Sequence, residues 1–246
     1  MVGNKLRKAF QILVKPGLAM VLLSHRVAAS VEHQAPLSGL ACRAVIDIGA
    51  NRGQFTLIAR YLYPQAKIMA FEPLPGPAHI FRSVFAHDAD IELHSCAIGS
   101  RAEQQVMHIS ARDDSSSLLP IGDEQSRIFP GTGEADTAVV DVKRLDEIVV
   151  EDEIIAPALL KLDVQGYELE ALRGCEGVLH KFSWIYCECS FVVLYEGQAL
   201  ADTVIAWLRD HNFKLLGAYN MAYDEQGKSV QADLLFAPFA NHDGPQ

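Results

Sequence analysis

The hydrophobic pattern of this chain changes period again and again. "AVIDIG" (residues 44–49) is a near-continuous apolar run, the pattern of a strand buried on both faces. "GQFTLIARYLY" has apolar residues three and four apart and ends at Pro64, which predicts a helix. The pairing recurs: "AKIMAFEP" is a strand stopped by Pro73, and "GPAHIFRSVFAH" a helix opened by Pro77. "IELHSCAIG" predicts a third strand. Further on, "PALLKLDV", "YELEALRGCEGVLHKF" and "WIYCECS" read as strand, helix and strand. "ALADTVIAWLRDHN" is an amphipathic helix. "FKLLGAYNMAY", the turn "DEQGKS" and "VQADLLFAPF" predict a closing hairpin. Repeated strand–helix units require a mainly parallel sheet covered on both faces, with the hairpin adding an antiparallel strand at one edge.

Two regions depart from this pattern. In the middle, the strand candidates "RAEQQVMHIS" and "TAVVDVKRL" flank the polar "ARDDSSSLLPIGDEQSRIFPGTGEAD". A connection this long inside a compact domain is usually functional or mobile. At the start, basic "NKLRK" precedes apolar "AFQILVKPGLAMVLL". Lys15-Pro16 interrupts that run, which is too short to span a bilayer. It reads as an amphipathic helical arm, continued by "VAASVEHQAPL" to near Pro36, rather than as a cleaved leader. Such an arm packs on the domain or makes peripheral contact with a membrane surface. The organisation expected is an arm over residues 1–40, a domain over 41–240 and a tail over 241–246.

Between the first strand and helix lies the turn Gly49-Ala50-Asn51-Arg52-Gly53. Small residues after a strand permit a tight turn and close approach to the backbone, and the helix start offers free N–H groups. Asp47 either orders this turn or meets a ligand cation. The second strand ends in Glu72, 25 residues after Asp47, where a carboxylate accepts both hydroxyls of an unphosphorylated ribose. The turn is neither G-x-G-x-x-G, since Asn51 replaces the second glycine, nor a P-loop. A nucleoside ligand without a pyrophosphate fits better. A nicotinamide-dependent oxidoreductase and a non-catalytic nucleoside-binding domain stay open as alternatives.

Charge narrows the partners. With 21 Lys+Arg against 31 Asp+Glu, the net charge is −10, which disfavours nucleic acid. The five cysteines are an odd, scattered set and point to a reducing, cytoplasmic setting. Cys187 and Cys189 lack metal-binding spacing and read as core thiols on one strand face.

In order along residues 44–237 stand "VIDIGANRGQFTLIAR", "AFEPLPG", "HSCAIG", "SSSLL", "LLKLDVQGYELEALRG", "ECS" and "LYEGQ". Together they resemble the FkbM family of S-adenosylmethionine-dependent methyltransferases. The resemblance implies an α/β class I methyltransferase (Rossmann-like) fold: a seven-stranded, mainly parallel sheet with an antiparallel last strand. It implies that Gly49, Ala50 and Asn51 lie against the methionine part of S-adenosylmethionine, with Asp47 near its ammonium. Glu72 would bind the ribose, and Ser95 to Ala97 would border the adenine. The acceptor implied is a hydroxyl on a sugar, glycolipid or polyketide-like small molecule.

A hydroxyl nucleophile must lose a proton, to a general base or beside a metal. Asp163 and Glu188 each end a strand, and if those strands are neighbours both face the cofactor mouth. Their approach would raise one pKa or recruit Mg²⁺. Asp163 is the preferred base or metal ligand. Ser116 and Ser117, in "DDSSSLLP", and Tyr195 and Gln198, in "LYEGQ", are the acceptor-binding candidates.

Overall fold

The structure, a computed structural model, describes residues 2–239. The expected tail at 241–246 lies outside them. The strands are β1 (Ala44–Ile48), β2 (Lys67–Phe71), β3 (Ile91–His94), β4 (Ala97–Ile98), β5 (Glu103–Ser110), β6 (Glu134–Lys143), β7 (Ala158–Leu162), β8 (Trp184–Ser190), β9 (Phe213–Tyr223) and β10 (Ser229–Pro238). The helices are α1 (Val2–Leu13), α2 (Pro16–His25), α3 (Gln34–Leu37), α4 (Gln54–Leu62), α5 (Pro75–Val84), α6 (Asp123–Ile128), α7 (Leu145–Ile148), α8 (Glu168–Arg173) and α9 (Ala201–Asp210).

Seven strands form one sheet in the order β3-β2-β1-β7-β8-β10-β9. β10 runs antiparallel to both β8 and β9, and the pairs among β3, β2, β1, β7 and β8 are parallel. This is the class I methyltransferase arrangement. Side chains alternate across it, as a strand's period of two requires. Ile46, Ile48, Leu160 and Leu162 enter one core with α8 and α9, while Val45 and Leu159 enter the other with α4 and the N-terminal arm. Strand order reverses between β1 and β7, the switch point beyond whose carboxyl ends ligands bind.

Three predicted elements are broken. "IELHSCAIG" is two strands, because β4 leaves β2 and pairs with β6 in a separate β4-β6-β5 sheet. The arm is not one helix to Pro36. Arg26 caps α2 in the left-handed conformation, φ 58°, and the chain resumes only as a short turn and α3. "YELEALRGCEGVLHKF" stops as α-helix at Arg173 and continues as a 3₁₀ segment over Glu176–Lys181. At the break Gly174 packs closely on its neighbour: a Cβ there would sit 2.2 Å from the Gly99 carbonyl oxygen.

Candidate active site

The carboxyl ends of β1, β2, β7, β8 and β4 open on a cleft of about 740 Å³, walled on the far side by the arm and the connection around Ser115 and Ser116. The turn after β1 is built under tension of space. Gly49 has φ +79°, and a Cβ there would lie 1.9 Å from the Asp163 carbonyl oxygen. Its glycine is demanded by the neighbouring strand end, not only by a ligand. Asn51 takes the left-handed conformation at φ 49°. At Gly53, φ +92°, a Cβ would collide with the Phe85 ring. The turn is therefore fixed before any ligand arrives.

Glu72, at the end of β2, faces the same turn. Its Oε2 accepts the Asn51 N–H at 3.0 Å and its Oε1 the Leu74 N–H at 2.7 Å. Burial pushes its carboxyl up to about 7, against the lowering effect of these two hydrogen bonds and Lys161. Glu72 lines the cleft, and a carboxylate oxygen can accept more than one hydrogen bond.

Asp47 does not reach the cleft wall. Thr56 Oγ1 donates to its Oδ2 at 2.7 Å, and Lys161 Nζ pairs with its Oδ1 at 3.0 Å. Lys161 also donates to the Gly49 carbonyl at 3.1 Å and lies 5.3 Å from the centre of the Phe55 ring. Burial alone would lower the Lys161 ammonium, but Asp47 and Asp163 outweigh it and hold it above its ordinary value. Of the two roles open to Asp47, the geometry carries the ordering of the turn. Its register partner on β7 is Lys161, so the pair was not visible as a sequence neighbour.

β7 and β8 are adjacent, with Leu162 opposite Cys187, so Asp163 and Glu188 meet at one rim. Between them stands Gln165, held at φ 55°. Its Nε2 donates to Asp163 Oδ1 at 2.7 Å and to Glu188 Oε2 at 3.1 Å. Gln231 donates to the other Glu188 oxygen at 2.7 Å. Burial first, then the Asp163, Asp233 and Glu168 carboxylates, push Glu188 well above the usual carboxylate range. Buried Glu168 is raised to about 7 by desolvation, although it accepts the Val164 and Gly166 N–H groups.

The same amide tests the Mg²⁺ expectation. A bridging cation would need the space that the Gln165 NH₂ group fills with positive polarity. Among the described residues, no cluster of three or more His, Cys, Asp and Glu is disposed to hold a metal. As arranged, Asp163 and Glu188 do not fit one.

The other candidates divide by position. Ala50, Ala97 and Ser116 line the cleft. Ser95 lies outside its wall and accepts from Arg82 at 2.6 Å. Ser117 is fully buried; its hydroxyl donates to the Gln165 carbonyl at 2.6 Å. The Tyr195 hydroxyl is shared between Gln165 Oε1 at 2.8 Å and the Ser115 carbonyl at 3.1 Å. Gln198 Oε1 accepts the N–H groups of Leu194 and Tyr195. Ser117, Tyr195 and Gln198 thus support the rim from behind.

Sequence reasoning missed the arm's share of the wall. His33 enters the cleft, its Nδ1 lying 3.1 Å from the Tyr186 hydroxyl and 3.3 Å from Asp233 Oδ2. Asn220 and Tyr186 donate to the same Asp233 oxygen at 2.7 and 3.0 Å. Burial pushes the Asp233 carboxyl up, but His33, Asn220 and Tyr186 reverse this and hold it below its usual value. The acid in "VQADLLF", a stretch whose other polar residue is Gln231, is the available signal.

Comparison with known proteins gives this geometry a family. The family model described as "Methyltransferase FkbM domain" matches residues 47–215. "Methyltransferase 1" of Beauveria bassiana is 30% identical over 144 residues, covering 54% of this chain and 58% of that one. "31-O-demethyl-FK506 methyltransferase FkbM" of Streptomyces tacrolimicus is 28% identical over 196 residues, covering 70% and 73%. "2-O-methyltransferase NoeI" of Sinorhizobium fredii is 29% identical over 160 residues, covering 63% and 66%. The chain therefore spans a little over half the length of the first relative and about two thirds or more of the other two. With two thirds of its residues inside the family model, the chain belongs to the FkbM methyltransferase family.

Proposed function

We propose that the protein is an S-adenosylmethionine-dependent O-methyltransferase acting on a hydroxyl of a sugar, glycolipid or polyketide-like small molecule. The observation that carries the reading is Glu72. A carboxylate at the end of β2 that lines the cleft and is held by two backbone N–H groups is suited to accept ribose hydroxyls. The names of two relatives support oxygen as the acceptor atom. When bound, the cofactor supplies a methyl group on a sulfonium centre. The Gly49–Asn51 turn, fixed by its own packing, holds the donor end, and Ala97 borders the adenine.

Asp163 and Glu188 serve the acceptor side. When the acceptor hydroxyl takes the methyl group it must lose its proton, and a carboxylate at this rim would accept it. Asp163 is the more open of the two, with a side chain 36% exposed. The raised pKa of Glu188 brings it closer to that of the hydroxyl it would serve. Neither needs a metal in this reading, and the Gln165 amide takes the bridging place. The acidic surface balance and the free cysteines support a small-molecule acceptor and a cytoplasmic setting.

The test is calorimetry with S-adenosylmethionine, S-adenosylhomocysteine and NAD, followed by transfer of labelled methyl to fractionated cell extract with and without EDTA. Binding of the sulfur ligands and EDTA-resistant labelling of a base-stable product are expected. Failure of both sulfur ligands to bind at millimolar concentration defeats the proposal.

A further inference from the structure

The arm carries a charge unlike the rest of the chain. Residues 1–31 hold five Lys or Arg and no Asp or Glu, whereas the remainder holds 16 against 31. The arm is also two-sided. Ile12, Leu18, Val27 and Val31 are buried in the core shared with α4. On the outside, Phe10, Leu13, Val14, Met20 and Leu23 stay in water, Leu23 at 78% exposure.

α2 is the sharper anomaly. Its sequence, PGLAMVLLSH, has no charged residue before its terminal His25. A helix packed on one side and wet on the other carries a polar stripe, and a helix apolar all round is covered all round. Leu18 faces inward, while Met20 and Leu23, three apart, share the open face. Arg7, Lys15 and Arg26 stand around these residues in sequence, and the arm's one acid, Glu32, pairs with Lys8 at 2.8 Å. No helix among the described residues is long and apolar enough to cross a membrane, so the arm can only lie on one.

We propose that this outer face of α1 and α2 docks on an anionic phospholipid surface, apolar side chains entering the headgroup boundary and basic ones meeting the lipid charge. The acidic remainder is repelled by the same surface, which fixes the orientation. Lys8 and Arg26 border the cleft, so docking sets its mouth beside the bilayer. The narrower consequence, that the methyl acceptor is lipid-linked, rests on the methyltransferase reading.

The test is flotation of the full chain with vesicles of equal parts phosphatidylglycerol and phosphatidylcholine, against phosphatidylcholine alone. Binding to the anionic vesicles at least about tenfold stronger is expected, weakening as salt rises. Met20→Ser with Leu23→Ser, and separately Arg7→Glu with Lys15→Glu, should each abolish flotation. Both should keep wild-type affinity for S-adenosylmethionine by calorimetry, which shows the domain folded and reports on the methyltransferase reading separately. No flotation of the wild type, or flotation untouched by both double variants, overturns the proposal. So does a concentration-dependent dimer that the Met20/Leu23 variant dissolves, since a second copy would then cover the face.

Discussion

Glu72 links protonation to ligand binding. Its folded pKa of about 7 reflects burial without a sufficient counter-charge. Ribose hydroxyls donate to the carboxylate form, so donor binding should expel the proton. Affinity for S-adenosylmethionine should then rise with pH up to about 7 and level off above it. Calorimetry in buffers of different ionisation enthalpy should detect the released proton. Glu72→Gln should remove the pH dependence and weaken binding by about 1–3 kcal/mol. Lys161→Met is expected to act differently. It strands Asp47, fully buried, and should cost about 3–5 kcal/mol in urea unfolding. Asp163→Asn should leave donor affinity intact while slowing labelled-methyl transfer by about 10²-fold or more. Equal turnover would remove Asp163 from the chemistry.

At the scale of elements, the corner between β1 and α4 tolerates no added atom. Gly49→Ala places a methyl inside the Asp163 backbone and at φ +79°, so the β1–β7 pairing must part or the chain must misfold. A loss of several kcal/mol is expected, read as a lower unfolding midpoint. This corner was legible because strand, turn and helix are contiguous, and each local pattern agrees with the fold. Glu72 was legible for the same reason, at a countable distance from Asp47. The Asp47–Lys161 pair and the His33–Asp233 contact were not. They join residues 114 and 200 apart in sequence, and only sheet register and the path of the arm bring them together. Ser117 and Tyr195 read as acceptor-binding candidates because they stand in polar loop segments. What hid their inward placement is Gln165, whose backbone carbonyl and side chain bind both. The split of "IELHSCAIG" was equally hidden, because its apolar run is continuous while its hydrogen-bond partners change from β2 to β6.

For the whole molecule, buried acids whose carboxyls are raised, Glu72, Glu168 and Glu188, set a pH trend. Glu72 and Glu168 each rise from 4.5 to about 7 on folding, mainly through desolvation. Between those values the folded chain holds protons that the unfolded chain has released. Their contribution to stability is therefore present below pH about 4.5 and is lost as pH rises through about 7. Urea midpoints of the ligand-free protein should fall across that window, and Glu168→Gln should flatten part of the fall. The cleft's two sides have separate origins. One side is made by strand ends of the central sheet, and much of the facing wall by the arm and the segment near Ser115 and Ser116, neither of which supplies a strand to that sheet. Exchange of those two segments would alter which molecule is received while the source of the methyl stays the same. On this plan the two walls of the cleft could vary independently, one set by the sheet and the other by what is laid across it.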